Sequence, residues 1–244
     1  MIALFKKEVS GFFSSLSGYV VVAIFLIATG LMLWIIPDTS YNIPDNHYAT
    51  LDGLFIISPW LFLFLIPAVT MRMFAEENKT GTIELLMTRP ISDFQIVLAK
   101  YLASFALIVI SILPTLIYFI SIYLFASPSG NVDAAGIFGS YLGLLFLCSA
   151  FASIGNFCSA ASSNQIVAFL LSLIMCFFFY SGFDLMSGLG FPNVISNIIA
   201  QFGISNHYAS LSRGVIDSRD VVYFACLTMF FLLLTRFTLE KRKW

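Results

Sequence analysis

Six separate stretches of this chain are each at least about 18 residues long and mostly apolar, the length a helix needs to cross a bilayer. They cover 19–36, 53–73, 96–125, 136–157, 166–183 and 221–239. Their apolar runs are continuous, not alternating, which points to helices and away from a membrane barrel. Composition removes the soluble alternatives. Hydrophobic residues make up 59% of the chain and charged residues 10%, against about 25% charged in soluble domains. Twelve Lys/Arg and thirteen Asp/Glu cannot give a polar skin to a globule that holds 27 Phe. This excludes a soluble enzyme, a nucleic-acid binder with a basic face, and a disordered chain. The predicted fold class is all-α: one polytopic membrane domain over 1–244 with six transmembrane helices.

Charge placement predicts the orientation. Lys6 and Lys7 precede the first span, Arg72, Lys79, Arg89 and Lys100 lie around the second connection, and Arg236, Lys241, Arg242 and Lys243 close the chain. That places ten of the twelve basic residues on one side and only Arg213 and Arg219 on the other. By the positive-inside rule both termini are expected in the cytoplasm. The first span is too long for a signal-peptide core, and Trp34-Ile35-Ile36-Pro37 offers no small-residue cleavage site. Before it, residues 1–17 put Ile2, Phe5, Val9, Phe12 and Leu16 on one helical face and Lys6, Ser10, Ser14 and Ser17 mostly opposite, with Leu4 breaking the pattern. An amphipathic helix in the cytoplasmic interface is expected there, its lysines toward anionic headgroups.

The densest cytoplasmic charge falls in 74–95. Thr80-Gly81 should break the extension of the second span, and Thr82 to Thr88 reads as a short helix with Ile83, Leu86 and Met87 on one face. Pro90 ends it. Ser92-x-x-Gln95 is a capping box, so the third span should begin near Asp93. So short a helix is not stable alone in water. It must pack on its own helix ends or in a partner's groove.

These residues carry a resemblance. Glu76-Glu77-x-x-x-Gly81-Thr82-x-Glu84-x-Leu86, then Arg89-Pro90-Ile91-Ser92 and Ala99-Lys100, resemble the first cytoplasmic loop of ABC-2-type transporter permeases. Ala99 stands where many relatives have Gly, a change that touches helix packing more than docking. The six-span plan, the N-terminal helix and the long last outer loop fit the same family. Arg213-Gly214-Val215-Ile216-Asp217 and the chain length resemble the gliding-motility-associated permease of Bacteroidetes more narrowly. The resemblance implies a permease subunit in the bacterial inner membrane whose coupling helix docks on a separate ATP-binding subunit. The implied contact residues are Glu76, Glu77, Thr80, Gly81, Thr82, Ile83, Glu84, Leu86, Met87 and Arg89. It also implies a second permease subunit, identical or related, surrounding lipid, and a further partner with a large extracytoplasmic domain. The chain has no GxxxxGK[ST] loop, so ATP and Mg are expected only through the partner.

Within the spans, Gly139-x-x-x-Gly143 followed by Ser149, Ser153 and Asn156 marks a face that allows close helix approach. It serves packing inside the subunit, or else a subunit interface or translocation path. Pro59, Pro67 and Pro114 should kink their helices. Ser162-x-x-Gln165 reads as a capping box for the fifth span. In the loop 184–220, Val194, Ile195, Ile198, Ile199 and Phe202 share one helical face, and Asn206 could cap a second short helix ending at Gly214. The pair suggests a re-entrant hairpin.

Two other function classes stay open. A membrane scaffold for a motility or secretion machine would use the same fold without transporting anything. An intramembrane enzyme would need chemistry from His207, Ser210 and Asp217, or from Asp38, Asp45 and Asp52. Neither a nucleophile elbow nor clustered metal ligands around His47 or His207 support it. Cys148, Cys158, Cys176 and Cys226 lie in apolar stretches and read as packing residues.

Overall fold

Glycine, proline and side-chain caps set where the helices of this all-helical chain begin and end. The computed structural model describes residues 1–37, 39, 41–46, 48–87, 91–128, 130–189 and 192–241, without the side chains at 17, 46 and 85–87. Asp38, His47, Thr88, Arg89, Pro90, Arg242 and Lys243 therefore lie outside the described residues. The order is α1 Ile2–Phe13, α2 Leu16–Gly30 with a π turn Leu31–Ile35, α3 Ile43–Asn46, α4 Asp52–Thr80, α5 Thr82–Met87, and α6 Asp93–Ile112. A 3-10 turn Leu113–Thr115 leads into α7 Leu116–Phe125, then α8 Ala134–Ala161 and α9 Gln165–Phe177. A π turn Phe178–Gly182 leads to α10 Phe183–Ser187, α11 Asn193–Ala200, α12 Ile204–Leu211 and α13 Ser218–Glu240.

Six helical stretches among the described residues are long and apolar enough to cross a membrane: Gly18–Ile35, Asp52–Thr80, Asp93–Phe125, Ala134–Ala161, Gln165–Ser187 and Ser218–Glu240. All six predicted spans are present, most of them longer than hydropathy suggested. At about 1.5 Å per residue α4 is about 43 Å long, more than the hydrocarbon thickness of about 30 Å. Its last turns, past Met73, carry Glu76, Glu77 and Lys79.

The core lies between α4 and α8. Two-thirds of the apolar 18-residue stretch within each of these spans is buried, against a third or less in the others. Phe62 and Phe74 of α4 and Phe151 of α8 are fully enclosed there. α8 also packs on α9 and α13. α2, α9 and α13 present Ile24, Ile27, Leu170, Ile174, Met229 and Phe230 outward, as a bundle solvated by lipid requires.

The prolines behave differently from one another. Pro114 interrupts the third span with its 3-10 turn. Pro59 and Pro67 stay inside one continuous α4. Pro59 has no N–H to give the Phe55 carbonyl, and the Tyr208 hydroxyl of α12 donates to that oxygen instead, at 2.8 Å.

One expectation at a helix start is corrected. Ser162 does not open a capping box: it ends α8, its hydroxyl accepts from the Asn164 amide, and Asn164 caps α9 by accepting from Ile166 at 2.9 Å. The capping box at Ser92 and Gln95 does form, with both reciprocal bonds present. On α1 Leu4 and Phe12 are buried in the bundle, with Val9 and Phe13 packed beside them, while Ile2 is exposed. Phe12 and Val9 of the predicted apolar face pack, and Leu4, which broke the pattern, joins them because Leu4, Glu8 and Phe12 lie one turn apart.

In the long loop, α11 and α12 occupy the two predicted helical segments, and α10 adds a third short helix. Asn206 lies inside α12, whose N-cap is Gly203. Gly214 adopts φ 79°, past the end of α12. It leans on α8: a β-carbon at Gly139 would meet the Gly214 carbonyl at 2.5 Å, and one at Gly143 would meet Leu211 Cβ at 2.6 Å.

Candidate partner-docking site

The C-terminal end of α4 leads into the predicted docking segment. Gly81 ends the helix in the left-handed region at φ 71°, a conformation that strains any side chain with a β-carbon. The Thr80 and Thr82 hydroxyls meet across it at 2.9 Å. α5 then turns back, and Ile83 sinks into the main core while Glu84 stays exposed. Thr80, Gly81 and Thr82 are exposed as well. Glu76 is exposed and pairs with Arg72 at 3.6 Å. The side chains of Leu86 and Met87 and the whole of Arg89 lie outside the described residues.

Glu77 does not present its charge outward. It is 8% exposed and belongs to a cluster that spacing alone did not reveal. The Lys100 ammonium of α6 is completely buried. It lies 2.9 Å from Glu77 Oε2 of α4 and 2.9 Å from Glu8 Oε1 of α1. It also donates to the Met73 carbonyl of α4 and sits 5.1 Å from the centre of the Phe74 ring. Lys7 of α1 closes the group, donating to Glu77 Oε1 at 3.0 Å. Two ammonium groups and two carboxylates thus balance where three helices meet. Partial burial pulls the Lys7 ammonium down, but the Glu77 hydrogen bond and the charges of Glu77, Glu8 and Glu76 outweigh it and hold the group above its ordinary value. A cleft of about 370 Å³ opens beside the cluster, lined among others by Lys7, Glu8, Arg72, Glu76, Glu77 and Thr82.

The same stretch of α4 is tied to α8. Ser159 Oγ donates to the Met71 carbonyl at 3.0 Å and accepts from the Phe74 and Ala75 amides at 3.0 and 3.1 Å. Asn78 donates to the Ala160 and Ser162 carbonyls at 3.2 and 2.8 Å, covering oxygens left free at the end of α8.

The small and polar residues of α8 are engaged within this chain. Gly139 and Gly143 receive Gly214 and Leu211. Ser149 bonds Tyr101 at 2.8 Å and Thr228 at 3.0 Å. Ser153 donates to Ala150 O, and Asn156 to Ser104 Oγ and Ala152 O, each of these at 2.7–2.8 Å. Gly139, Gly143, Ser149 and Asn156 thus meet other elements of this chain, Ser153 bonds within α8, and Ser149 is half-buried.

At the opposite end His207, Ser210 and Asp220 converge. Asp217, weighed from sequence, instead caps α13 through the Arg219 amide at 2.9 Å. His207 Nδ1 lies 2.7 Å from Asp220 Oδ1 and Nε2 lies 2.9 Å from the Gln201 carbonyl. The Ser210 hydroxyl donates to Asp220 Oδ2, not to the imidazole. A carbonyl only accepts, so Nε2 carries a proton and is no base for Ser210. The arrangement joins α12 to α13 and differs from a triad in that the imidazole does not meet the serine hydroxyl.

No curated protein matches the chain. A family model described as ABC-2 family transporter protein matches residues 2–239. With that match running from α1 to the end of the last span, the chain belongs to the ABC-2 family of transporter proteins.

Proposed function

We propose that this permease subunit receives its driving force at α5, by docking that helix on an ABC ATP-binding subunit in the cytoplasm. Both termini lie on that side, in a bacterial inner membrane, as the basic residues favour. The partner binds and hydrolyses ATP with Mg. A second permease subunit completes the membrane part, and the complex exports a substrate or drives a motility apparatus, with a further subunit reaching outside. The Arg213–Asp217 segment favours the gliding-motility branch on resemblance alone.

The observation that carries this reading is the charged end of α4, from Glu76 to Thr80, closed by Gly81 and followed by a short helix with Glu84 outward. The docking surface comprises Glu76, Thr80, Gly81, Thr82 and Glu84, with Leu86, Met87 and Arg89 added from the motif. Ile83 anchors α5 to its own bundle, and Glu77 braces it from behind. A helix of this size gains stability only against such supports. ATP-driven closure of the partners then biases the bundle between two states.

The test is purification in mild detergent from the native host, with mass spectrometry of what accompanies the wild type, Glu84→Arg and Leu86→Arg. An ABC ATPase that accompanies the wild type and is released by either substitution supports the docking site. A wild type that brings no ATPase, even after cross-linking, overturns it.

A further inference from the structure

The Lys7–Glu8–Glu77–Lys100 cluster has a cost that packing alone does not explain. Moving two opposite charges out of water is expensive, and a buried pair replaced by apolar residues of similar volume is often equally stable or more so. Hydrophobic contacts from Leu4 and Phe12 already seat α1 on the bundle. Yet the fully enclosed Lys100 ammonium takes one carboxylate from α1 and one from α4.

Position supplies the reason. Glu77 lies one turn before Gly81, so it is the first buried group behind the docking segment. Between Met71 and Asn78, α4 is bonded by side chains to α1, α6 and α8. A force applied at α5 enters α4 through Gly81 and meets this collar first. We propose that Lys100 is a positioning residue for ATP coupling. It locks α1 to α4 and α6 so that the N-terminal helix travels with the docking segment and does not slide along the membrane surface. Charge suits this task better than apolar contact, because an ion pair fixes direction and register where a hydrophobic contact tolerates slippage. The inference rests on the docking of α5 proposed above.

The test uses the permease with its co-purified ATPase in lipid nanodiscs, in a Cys226→Ser background, since Cys226 is the exposed native thiol among the described cysteines. Spin labels at Ser10→Cys and Lys79→Cys, both exposed positions, report α1 against the end of α4. Labels at Ser10→Cys and Ser218→Cys report α1 against the far end. Each pair is measured with ADP and with ATP plus vanadate. The comparison variant is Glu8→Gln/Glu77→Gln/Lys100→Met, which removes every buried charge and leaves none unpaired.

In the unsubstituted cluster the Ser10–Lys79 distance should stay narrow and unchanged between nucleotides while Ser10–Ser218 shifts. In the neutral variant, still folded and still binding the ATPase, the Ser10–Lys79 distribution should broaden and the nucleotide-driven Ser10–Ser218 shift should be lost. A neutral variant that keeps both behaviours overturns the coupling role and leaves the cluster a simple anchor. A parent protein whose Ser10–Lys79 distance changes with nucleotide also overturns it. Absence of any ATPase from the parent complex is a different failure: it removes the docking reading itself, and it is scored before any distance is measured.

Discussion

The Tyr208 hydroxyl donates to the Phe55 carbonyl at 2.8 Å, and Phe55 is the residue whose helical partner Pro59 cannot supply. A proline in the middle of a membrane helix orphans one carbonyl in a medium without water. Here the far loop returns through α12 to satisfy it, so the proline and the tyrosine, 149 positions apart by number, form one structural unit. Tyr208→Phe keeps the ring and removes only the donor. It should lower stability by about 1–2 kcal/mol, seen as a lower unfolding temperature in detergent, with ATPase co-purification unchanged.

The second tie between that loop and the bundle is steric. Gly143 lets Leu211 approach so closely that an added β-carbon would lie 2.6 Å from Leu211 Cβ. Gly143→Leu should push α12 off α8, costing about 1–3 kcal/mol as overpacking does. Hydrogen exchange across Ile204–Leu211 should speed up. Gly11→Ala is the control: its β-carbon meets nothing within 4 Å, and it should leave exchange in α12 unchanged.

What could be read in the chain beforehand divides by range. Hydropathy marked all six spans because crossing lipid demands length and apolarity from each segment separately. The Ser92–Gln95 cap was legible because its partners are three residues apart. Ser162–Gln165 has the same spelling, but Asn164 stands closer to the helix start and takes the cap. Which apolar residues of α1 enter the bundle is not legible, because an apolar pattern does not tell lipid from protein: Ile2 is as apolar as Leu4, yet only Leu4 is buried. The pairing of Glu77 with Lys100 is not legible in local spacing, because Lys100 lies beyond the loop in sequence. One signal did exist: Lys100 stands inside an apolar run, and an ionisable residue there asks for a partner.

That partnership sets a stability prediction independent of coupling. Lys100→Met alone leaves Glu8 and Glu77 facing each other around an apolar side chain. Removing one partner of a buried ion group costs about 3–5 kcal/mol. The single variant should therefore unfold at markedly lower temperature, or fail to accumulate. Adding Glu8→Gln and Glu77→Gln should recover most of the loss, because no buried charge is then unpaired. If the triple variant were no more stable than the single one, desolvated carboxylates would not be the cause.

The last prediction concerns chemistry at the far end. A serine nucleophile needs a base that accepts its proton. At Ser210 the imidazole is not that base: the hydroxyl donates to Asp220, and both nitrogens of His207 are engaged, one by Asp220 and one by the Gln201 carbonyl. The ring is further held against Tyr223, centroids 3.9 Å apart, and the Tyr223 hydroxyl bonds the Phe202 carbonyl at 2.7 Å. The cluster therefore acts as a clamp between α12 and α13. A serine-reactive fluorophosphonate should not label Ser210 in the wild type. Asp220→Ala, which strips the acceptor from both His207 and Ser210, should cost about 1–3 kcal/mol and raise hydrogen exchange in α12. Labelling at Ser210 that is lost in His207→Gln would reverse the assignment and bring an enzymatic role back.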